Sequence, residues 1–598
     1  DAMGSFNTLG KFGGRAQVES FDFWNNWTYV LLPETHDKAV AAQKMTDYFN
    51  PMFREQAGGD IAFDLYDMQD VYFNFNSGGG DIQVVYMFMA ISIFILILAC
   101  INFINLTTAR AVVRAKEIGI RKVVGSSKSR IIFQFLGEST LYSILSFLLA
   151  VIIVKLIIME FNGLTGLALS FSIFSQSFVQ IFTVSAVIAI GLLAGIYPAF
   201  YISSFSAGAV LKGEVTRGKS SAAFRKALIV FQYAISITLI IGTITVFEQL
   251  EYMKSINLGF AKDQIVNFNY SSARGVRNRQ DAFKQALLQS PDIQGITFSQ
   301  GYPGFIFNNE SFMHEGERTG FVVYTVDTDY FDVFDLEIVD GRPFSKEIAS
   351  DEFRTCLMNE AAVRVFGLEN PVGHVFHKDE TGGSSFPVND IEVIGVVKDF
   401  HFQSLHQEVR PLVFSYNRPW FWNANVKISG QNVSETIAFI EEAWNEFSPD
   451  FPFEYTFLDE SFDKQYRNDE MFGKFFGYFS FIAIFIACLG LFGMASYMTA
   501  RRTKEIGIRK TLGASSQGIT VMLSREFSKW VIIANVIAWP AAWYLMNYWL
   551  QNFAYQMSMS PIIFIAAGTI AYVIALLTVG YQTLKGARTN PVDSLRYE

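Results

Sequence analysis

Seven stretches of this 598-residue chain are long and apolar enough to cross a membrane, and that fact limits the fold more than any other. The first, residues 84–106, reads VVYMFMAISIFILILACINFINL; the others are residues 131–158, 178–203, 228–247, 472–498, 521–550 and 561–584. A helix needs about 20 apolar residues to cross a hydrocarbon core of roughly 30 Å, and each run meets that length. Hydrophobic residues make up 51% of the chain, Phe alone contributes 60, and the mean hydropathy is +0.25, which excludes an ordinary soluble protein. The three cysteines cannot build a disulfide framework: Cys100 and Cys488 lie inside apolar runs and Cys356 stands alone in a polar region.

Lys and Arg in the short loops set the orientation. The loop at 107–130 holds Arg110, Arg114, Lys116, Arg121, Lys122, Lys128 and Arg130, and the loops at 204–227 and 499–518 are similarly basic. The loops at 159–177 and 551–560 hold almost none. The three basic loops are therefore cytoplasmic, and residues 1–83 and 250–470 lie outside.

One segment occurs twice. Lys116-Glu117-Ile118-Gly119-Ile120-Arg121-Lys122 returns as Lys504-Glu505-Ile506-Gly507-Ile508-Arg509-Lys510, each copy directly after a span, and each followed at the same offset by a glycine (Gly125, Gly513) and a serine (Ser127, Ser515). Spans one to three thus match spans five to seven. The fourth span, which leads into the external region, calls for a counterpart before residue 1, so an N-terminal truncation is expected. A strand–helix–strand order also repeats, at residues 29–67 and again at 424–458.

The repeated basic segment, placed after the first of three clustered spans, resembles the FtsX-like permease module of MacB-type ABC transporters. The external region is similar to their periplasmic core domain through Val326-Asp327-Thr328-Asp329-Tyr330-Phe331, Gly341-Arg342-Pro343-Phe344, Asn359-Glu360-Ala361-Ala362, Asn370-Pro371-Val372-Gly373 and the segment Val393 to Phe400. The expected fold is an α-helical polytopic membrane protein, with seven visible spans in two FtsX-like modules and α+β periplasmic domains. Residues 1–83 read as the remnant of a first periplasmic domain and 84–204 as the first module. A linker at 205–227 and a span at 228–248 follow, then the second periplasmic domain at 249–470, the second module at 471–586 and a tail at 587–598.

The resemblance implies a permease subunit that is not itself an enzyme, sits in a bacterial inner membrane and transmits motion from a separate cytoplasmic ATPase dimer to periplasmic domains for export or extraction. ATP would act only through that partner. Lipid and a periplasmic adaptor or outer-membrane channel are the other partners implied, with no nucleic acid. Residues Lys116 to Lys122 with Gly125, and Lys504 to Lys510 with Gly513, would contact the ATPase. The plainer reading is that their cations only fix topology, although topology requires no repeated Ile-Gly-Ile. The alternative function is a membrane receptor that senses a periplasmic ligand, or a regulator of a cell-envelope enzyme.

Other motifs carry less. Gly213-Glu214-Val215-Thr216-Arg217-Gly218-Lys219-Ser220 fits the P-loop pattern, but it lies between two spans rather than between a buried strand and a helix of an α/β domain. His374, His377, His401 and His406 lack cysteine or paired carboxylates at ligand spacing, so no metal is expected. No catalytic set is evident. Glu138 and Glu526, at equivalent positions within spans, read as helix-packing groups, and Asn102 and Asn105 as interhelical hydrogen-bond formers.

Overall fold

The computed structural model describes residues 29–33, 37–57, 62–68, 82–165, 168–204, 219–305, 308–314, 317–377, 386 and 390–587. Its elements begin with α1 (Lys38–Ala57), α2 (Ile82–Val123), α3 (Lys128–Thr165), α4 (Ser177–Ser203) and α5 (Lys219–Ser255). An α/β region follows: β1 (Ile265–Asn269), α6 (Gln280–Leu287), β2 (Ile293–Ser299), β3 (Asn308–His314), β4 (Glu317–Thr325), β5 (Ile338–Gly341), β6 (Thr355–Asn359), α7 (Glu360–Val365), β7 (Val375–His377), β8 (Asp390–Val397), β9 (Leu412–Ser415), β10 (Asn423–Ile428), α8 (Val433–Phe447) and β11 (Thr456–Phe457). The chain closes with α9 (Leu458–Arg501), α10 (Thr503–Thr511), α11 (Ser516–Leu550) and α12 (Pro561–Ala587). Two compact units result, one comprising residues 1–82 and 257–466, the other 83–256 and 467–598.

Among the described residues, seven helices in the second unit are long and apolar enough to span a membrane, one for each apolar run of the sequence. Their lipid-facing side chains, such as Leu148, Leu149, Ile152, Ile532 and Val536, are exposed. Helix α5 lies deepest. Ile229, Tyr233, Ile237 and Ile241 pack against Phe527, Val531, Ala534 and Ala538 of α11 and Ala567, Ala571 and Ala575 of α12. Both arms of the Gln249 amide are used at its outer end, donating to the Tyr555 carbonyl at 2.8 Å and accepting from the Met557 N–H at 2.9 Å. Helices α2 and α9 approach closely because Gly490 and Gly493 lack side chains. A Cβ at Gly490 would stand 2.6 Å from Asn102 Oδ1 and one at Gly493 2.1 Å from Leu106 Cδ2. The Asn102 amide donates across this contact to the Ile486 carbonyl at 3.3 Å, a pairing that replaces water inside the membrane.

The other unit contains two sheets. The first, in order β11-β1-β10-β2, is antiparallel and is backed by Phe283 on α6 and by Trp444 and Phe447 on α8, with Phe268 at their centre. The second has the order β3-β4-β9-β6-β8-β5 with β7 paired to β8, and it mixes parallel and antiparallel neighbours. Phe312, Phe321, Phe366 and Phe376 fill its core together with the buried Cys356. The expected strand–helix–strand at 424–458 is present, with the last strand shortened to Thr456–Phe457.

Its proposed counterpart near the start differs. Helix α1 forms, but residues 29–33 and 62–67 are irregular. A strand requires a neighbour for its N–H groups, whereas the Phe63 N–H turns instead to the Thr46 hydroxyl at 2.9 Å.

The external motifs hold this scaffold together. Asn359 caps α7 by accepting from the Ala362 N–H at 2.9 Å. Asp399 accepts from the Ala361 N–H at 2.8 Å and from Arg364 at 2.6 Å. Gly341, at φ +74°, lies so close to β8 that a Cβ would fall 2.2 Å from the Ile394 carbonyl oxygen. Arg342 grips the fully buried Asp351 through two bonds of 2.5 and 2.8 Å.

Asp327 links the two sheets, because it follows β4 and accepts from the Thr297 hydroxyl and, at 3.0 Å, from the Phe298 N–H of β2. Burial raises its carboxyl to about 6, while Lys284, Thr297 and the Phe298 N–H pull the other way. A raised folded-state value means that the folded domain holds a proton the unfolded chain releases. This site's stabilising contribution is therefore complete below about pH 4 and is lost as the pH rises through about 6. Thermal unfolding of the whole protein in detergent should show the effect. The difference between the parent and Asp327→Asn should change by roughly 3 kcal/mol across that window, and a constant difference would contradict the assignment.

Candidate functional site: the repeated cytoplasmic hairpin

Both copies of the repeat fold into one device: a helix that stops at a glycine and a second helix that starts at a serine. In the first copy the Ser126 N–H reaches the Arg121 carbonyl at 2.9 Å and the Gly125 N–H reaches that of Lys122 at 3.1 Å. In the second, Ala514 reaches Arg509 at 2.9 Å and Gly513 reaches Lys510 at 3.0 Å. This pair of bonds is a Schellman stop, which places its glycine in the left-handed region; Gly125 has φ +101° and Gly513 +90°. The recurring serine then caps the next helix, Ser515 accepting from the Gly518 N–H at 3.0 Å and Ser127 from Arg130 at 3.4 Å. The spacing of Gly and Ser after the repeat is thus the spacing of a tight helix–helix turn.

The two isoleucines of each Ile-Gly-Ile face opposite ways. Ile118 is buried against Ile131 and Phe135 of α3 and Ala199 and Ile202 of α4. Ile506 is buried against Ile519 and Leu523 of α11. Gly119 and Gly507 are also buried. Ile120 and Ile508, by contrast, are 49% and 45% exposed. They stand near Val123, Val124 and Leu512, which are exposed as well.

The charges form a lattice along the same helices. Arg121 meets Glu117 at 2.7 Å and Arg509 meets Glu505 at 2.8 Å, both one helical turn apart. Arg121 also donates to Gln134 at 2.9 Å, and Arg509 contacts Met522 at the equivalent place on α11. Arg114 pairs with Glu138 at 3.0 Å, and Lys122 donates to the Ser203 carbonyl at the end of α4 at 2.7 Å. The side chains of Lys116, Lys504 and Glu526 lie outside the described set, and the backbone of Lys510 ends the Schellman stop.

The copies differ in one respect. The first repeat is the end of α2, one helix from Ile82 to Val123, whereas the second forms a separate helix, α10, after a break at Arg502 (φ −94°, ψ 13°). The Arg502 N–H is shared between the Met498 and Thr499 carbonyls, each at 3.1 Å. Thr503, a weaker helix former, stands where the first copy has Ala115. The seat supplied by the following helix was legible only in part: Ile131 and Ile519 are identical at the same offset, but Phe135/Leu523 and Gln134/Met522 are not.

Elsewhere, residues 213–218 of the P-loop-like match lie outside the described residues. Lys219 and Ser220 open α5, a 37-residue spanning helix. His406 bonds Ser404 at 2.7 Å and His374 packs edge-on to Phe376. Among the described residues no three His, Cys, Asp or Glu side chains gather as a metal site.

Two family models match this chain. The FtsX-like permease C-terminal model matches residues 89–207 and again 477–591, once over each hairpin, and the MacB-like periplasmic core domain model matches residues 227–427. The chain belongs to the FtsX-like and MacB-like ABC transporter permeases. It is a multi-pass inner-membrane protein of that family. YvrN of Bacillus subtilis (strain 168), described as an uncharacterized ABC transporter permease, is 23% identical to it over 335 residues, covering 52% of this chain and 78% of YvrN. The macrolide export ATP-binding/permease protein MacB of Rhodopirellula baltica is 26% identical over 133 residues, covering 20% of this permease and 17% of MacB. Among solved structures, the periplasmic region of MacB from Actinobacillus actinomycetemcomitans is 20% identical with a TM-score of 0.25, covering 36% of this chain and 96% of that one. The extracellular domain of YknZ, a noncanonic ABC-type transporter from Gram-positive bacteria, is 17% identical with a TM-score of 0.23, covering 30% and 92%.

Gly513→Ala and Gly125→Ala should each cost this permease about 1 kcal/mol. A Cβ at either position meets nothing within 4 Å, so the cost is that of the left-handed backbone alone. The check is thermal unfolding in detergent. Asn, which tolerates that conformation better, should recover much of the loss.

Proposed function

We propose that this permease is the membrane subunit on which a separate cytoplasmic ATPase dimer acts. The two hairpins would be its docking points, and the periplasmic domain would be moved to export or extract a substrate. The observation that carries this reading is the split within each Ile-Gly-Ile: one isoleucine locks the hairpin to the membrane helices, and the other is left in solvent beside an arginine. Fixing topology needs only charge. An exposed apolar side chain at the same place in both copies suits a partner surface with an apolar centre and an acidic rim.

Locking matters as much as exposure. Ile118 and Ile506 tie each hairpin to the helix that follows it, so displacement of the hairpin is passed to a span rather than absorbed by the turn. Helix α9 is uninterrupted from Leu458 to Arg501 and offers one covalent route for that displacement.

ATP would be hydrolysed by the partner. In the sequence the P-loop-like match falls between two spanning helices, Ser177–Ser203 and Lys219–Ser255, whereas a P-loop joins a buried strand to the helix of an α/β domain. Purified permease without its ATPase should therefore bind no nucleotide in equilibrium dialysis.

Co-purification with the cognate ATPase tests the docking. Ile508→Ala combined with Ile120→Ala should leave thermal stability within about 0.5 kcal/mol. Arg509→Glu combined with Arg121→Glu should lower it by about 1–2 kcal/mol, because each sets Glu against Glu one turn away. Both pairs should reduce ATPase capture at least tenfold. Ile506→Ala should instead destabilise the protein by about 2–5 kcal/mol. Full ATPase capture and coupled hydrolysis by the exposed-face variants would refute the docking assignment.

A further inference from the structure

The lipid-facing surface of α11 ends, toward the cytoplasm, in two cations. Ile532, Val536 and Trp543 are exposed at helical spacing and mark the stripe that faces the acyl chains. Continued back by three residues and then by four, the same stripe reaches Lys529 and Arg525, both exposed. Lys226 of α5, also exposed, joins them, its ammonium 5.0 Å from the centre of the Trp530 ring. Trp530 packs in turn against the core that α5 shares with α11 and α12, so this cation–π contact fixes where the ammonium stands.

The depth of these groups follows from the length of the helix. Trp543, Tyr544 and Tyr548 are exposed near the other end of α11 and form its outer aromatic belt. Lys529 precedes Tyr548 by nineteen residues, about 28 Å at 1.5 Å per residue, which is the thickness of a hydrocarbon core. Lys529 therefore stands at the inner boundary of that core. Arg525, one turn further, stands among the phosphates of the cytoplasmic leaflet.

Orientation in the membrane does not account for these cations. The hairpins already supply that charge, and the first module does without its equivalents: the offset of the repeat sets Gly137 against Arg525, Leu141 against Lys529 and Tyr142 against Trp530. Nor does the protein pair them. Arg121 and Arg509 each hold a glutamate, whereas among the described residues no carboxylate pairs with Lys226, Arg525 or Lys529. Glu526 is the counterpart of Glu138, which Arg114 engages at 3.0 Å, and Arg502 stands in the sequence where Arg114 does. A cation so near hydrocarbon is retained where an anion compensates it. The anion present at that depth is a lipid phosphate.

We infer that Lys226, Arg525 and Lys529 form a binding site for an anionic glycerophospholipid of the cytoplasmic leaflet. The guanidinium of Arg525 suits two oxygens of the phosphodiester at once, and the ammonium groups act as point charges beside it. The acyl chains lie along Ile532, Ile533 and Val536, which are exposed directly above. A zwitterionic lipid brings an ammonium of its own and gains less from three cations. The site belongs to the second module alone and does not depend on the docking of an ATPase.

Native mass spectrometry of the whole protein, titrated with phosphatidylglycerol or with phosphatidylethanolamine of the same acyl chains, tests this. Phosphatidylglycerol should bind the parent roughly tenfold more tightly or better. The double variant Arg525→Gln with Lys529→Gln should reduce that preference to about twofold or less. Lys155→Gln, which removes an exposed cation near the outer end of α3, should leave it unchanged. Glycerol 3-phosphate, which has the phosphate without the chains, should not compete. Absence of a preference in the parent, an undiminished preference in the double variant, an equal loss in Lys155→Gln or full competition by glycerol 3-phosphate would each overturn the inference. Should the double variant fail to insert, Lys226→Gln is read in its place, with a loss of about threefold expected and no loss overturning the site.

Discussion

Inside a hydrocarbon layer no water is available to a free N–H or C=O, so every span must be a helix that satisfies itself. Once that is imposed, the remaining freedom lies in how helices stop, turn and touch. The structure answers each question with a residue whose side chain is small or absent. Gly125 and Gly513 end helices, and Gly490 and Gly493 let α2 and α9 meet. Alanines along α11 and α12 receive the larger side chains of α5.

The helical part was legible because periodicity is not needed to find a span; length and lack of charge suffice. The sequence repeat likewise announced a repeated structure. What it could not announce was the reason for its own spacing. The glycine and serine after each copy look like loop residues until the Schellman stop and the serine cap show that they are two ends of one turn. Nor could the letters tell which isoleucine of Ile-Gly-Ile is buried, since that depends on Ile131, Phe135, Ile519 and Leu523, which stand on another helix.

The external motifs teach a different lesson. Asn359, Asp399, Gly341, Arg342 and Asp327 marked the family, and conspicuous polar residues in a family signature invite a search for a ligand. Their bonds go to helix ends, to a neighbouring strand and, for Arg342, to the buried Asp351. The described residues on either side of α1 are irregular for a related reason: alternation along a segment describes a face, and a face becomes a strand only when another strand lies beside it.

The break at Arg502 sets the two modules apart. Seven identical residues present the same surface twice, but one surface terminates an unbroken helix and the other is joined to its span through a turn. An unbroken helix conveys both translation and twist, whereas a turn conveys the first and lets much of the second dissipate. Equal strokes delivered to the two surfaces would therefore arrive as unequal motions, and a symmetric motor acting on this single chain would have an asymmetric output.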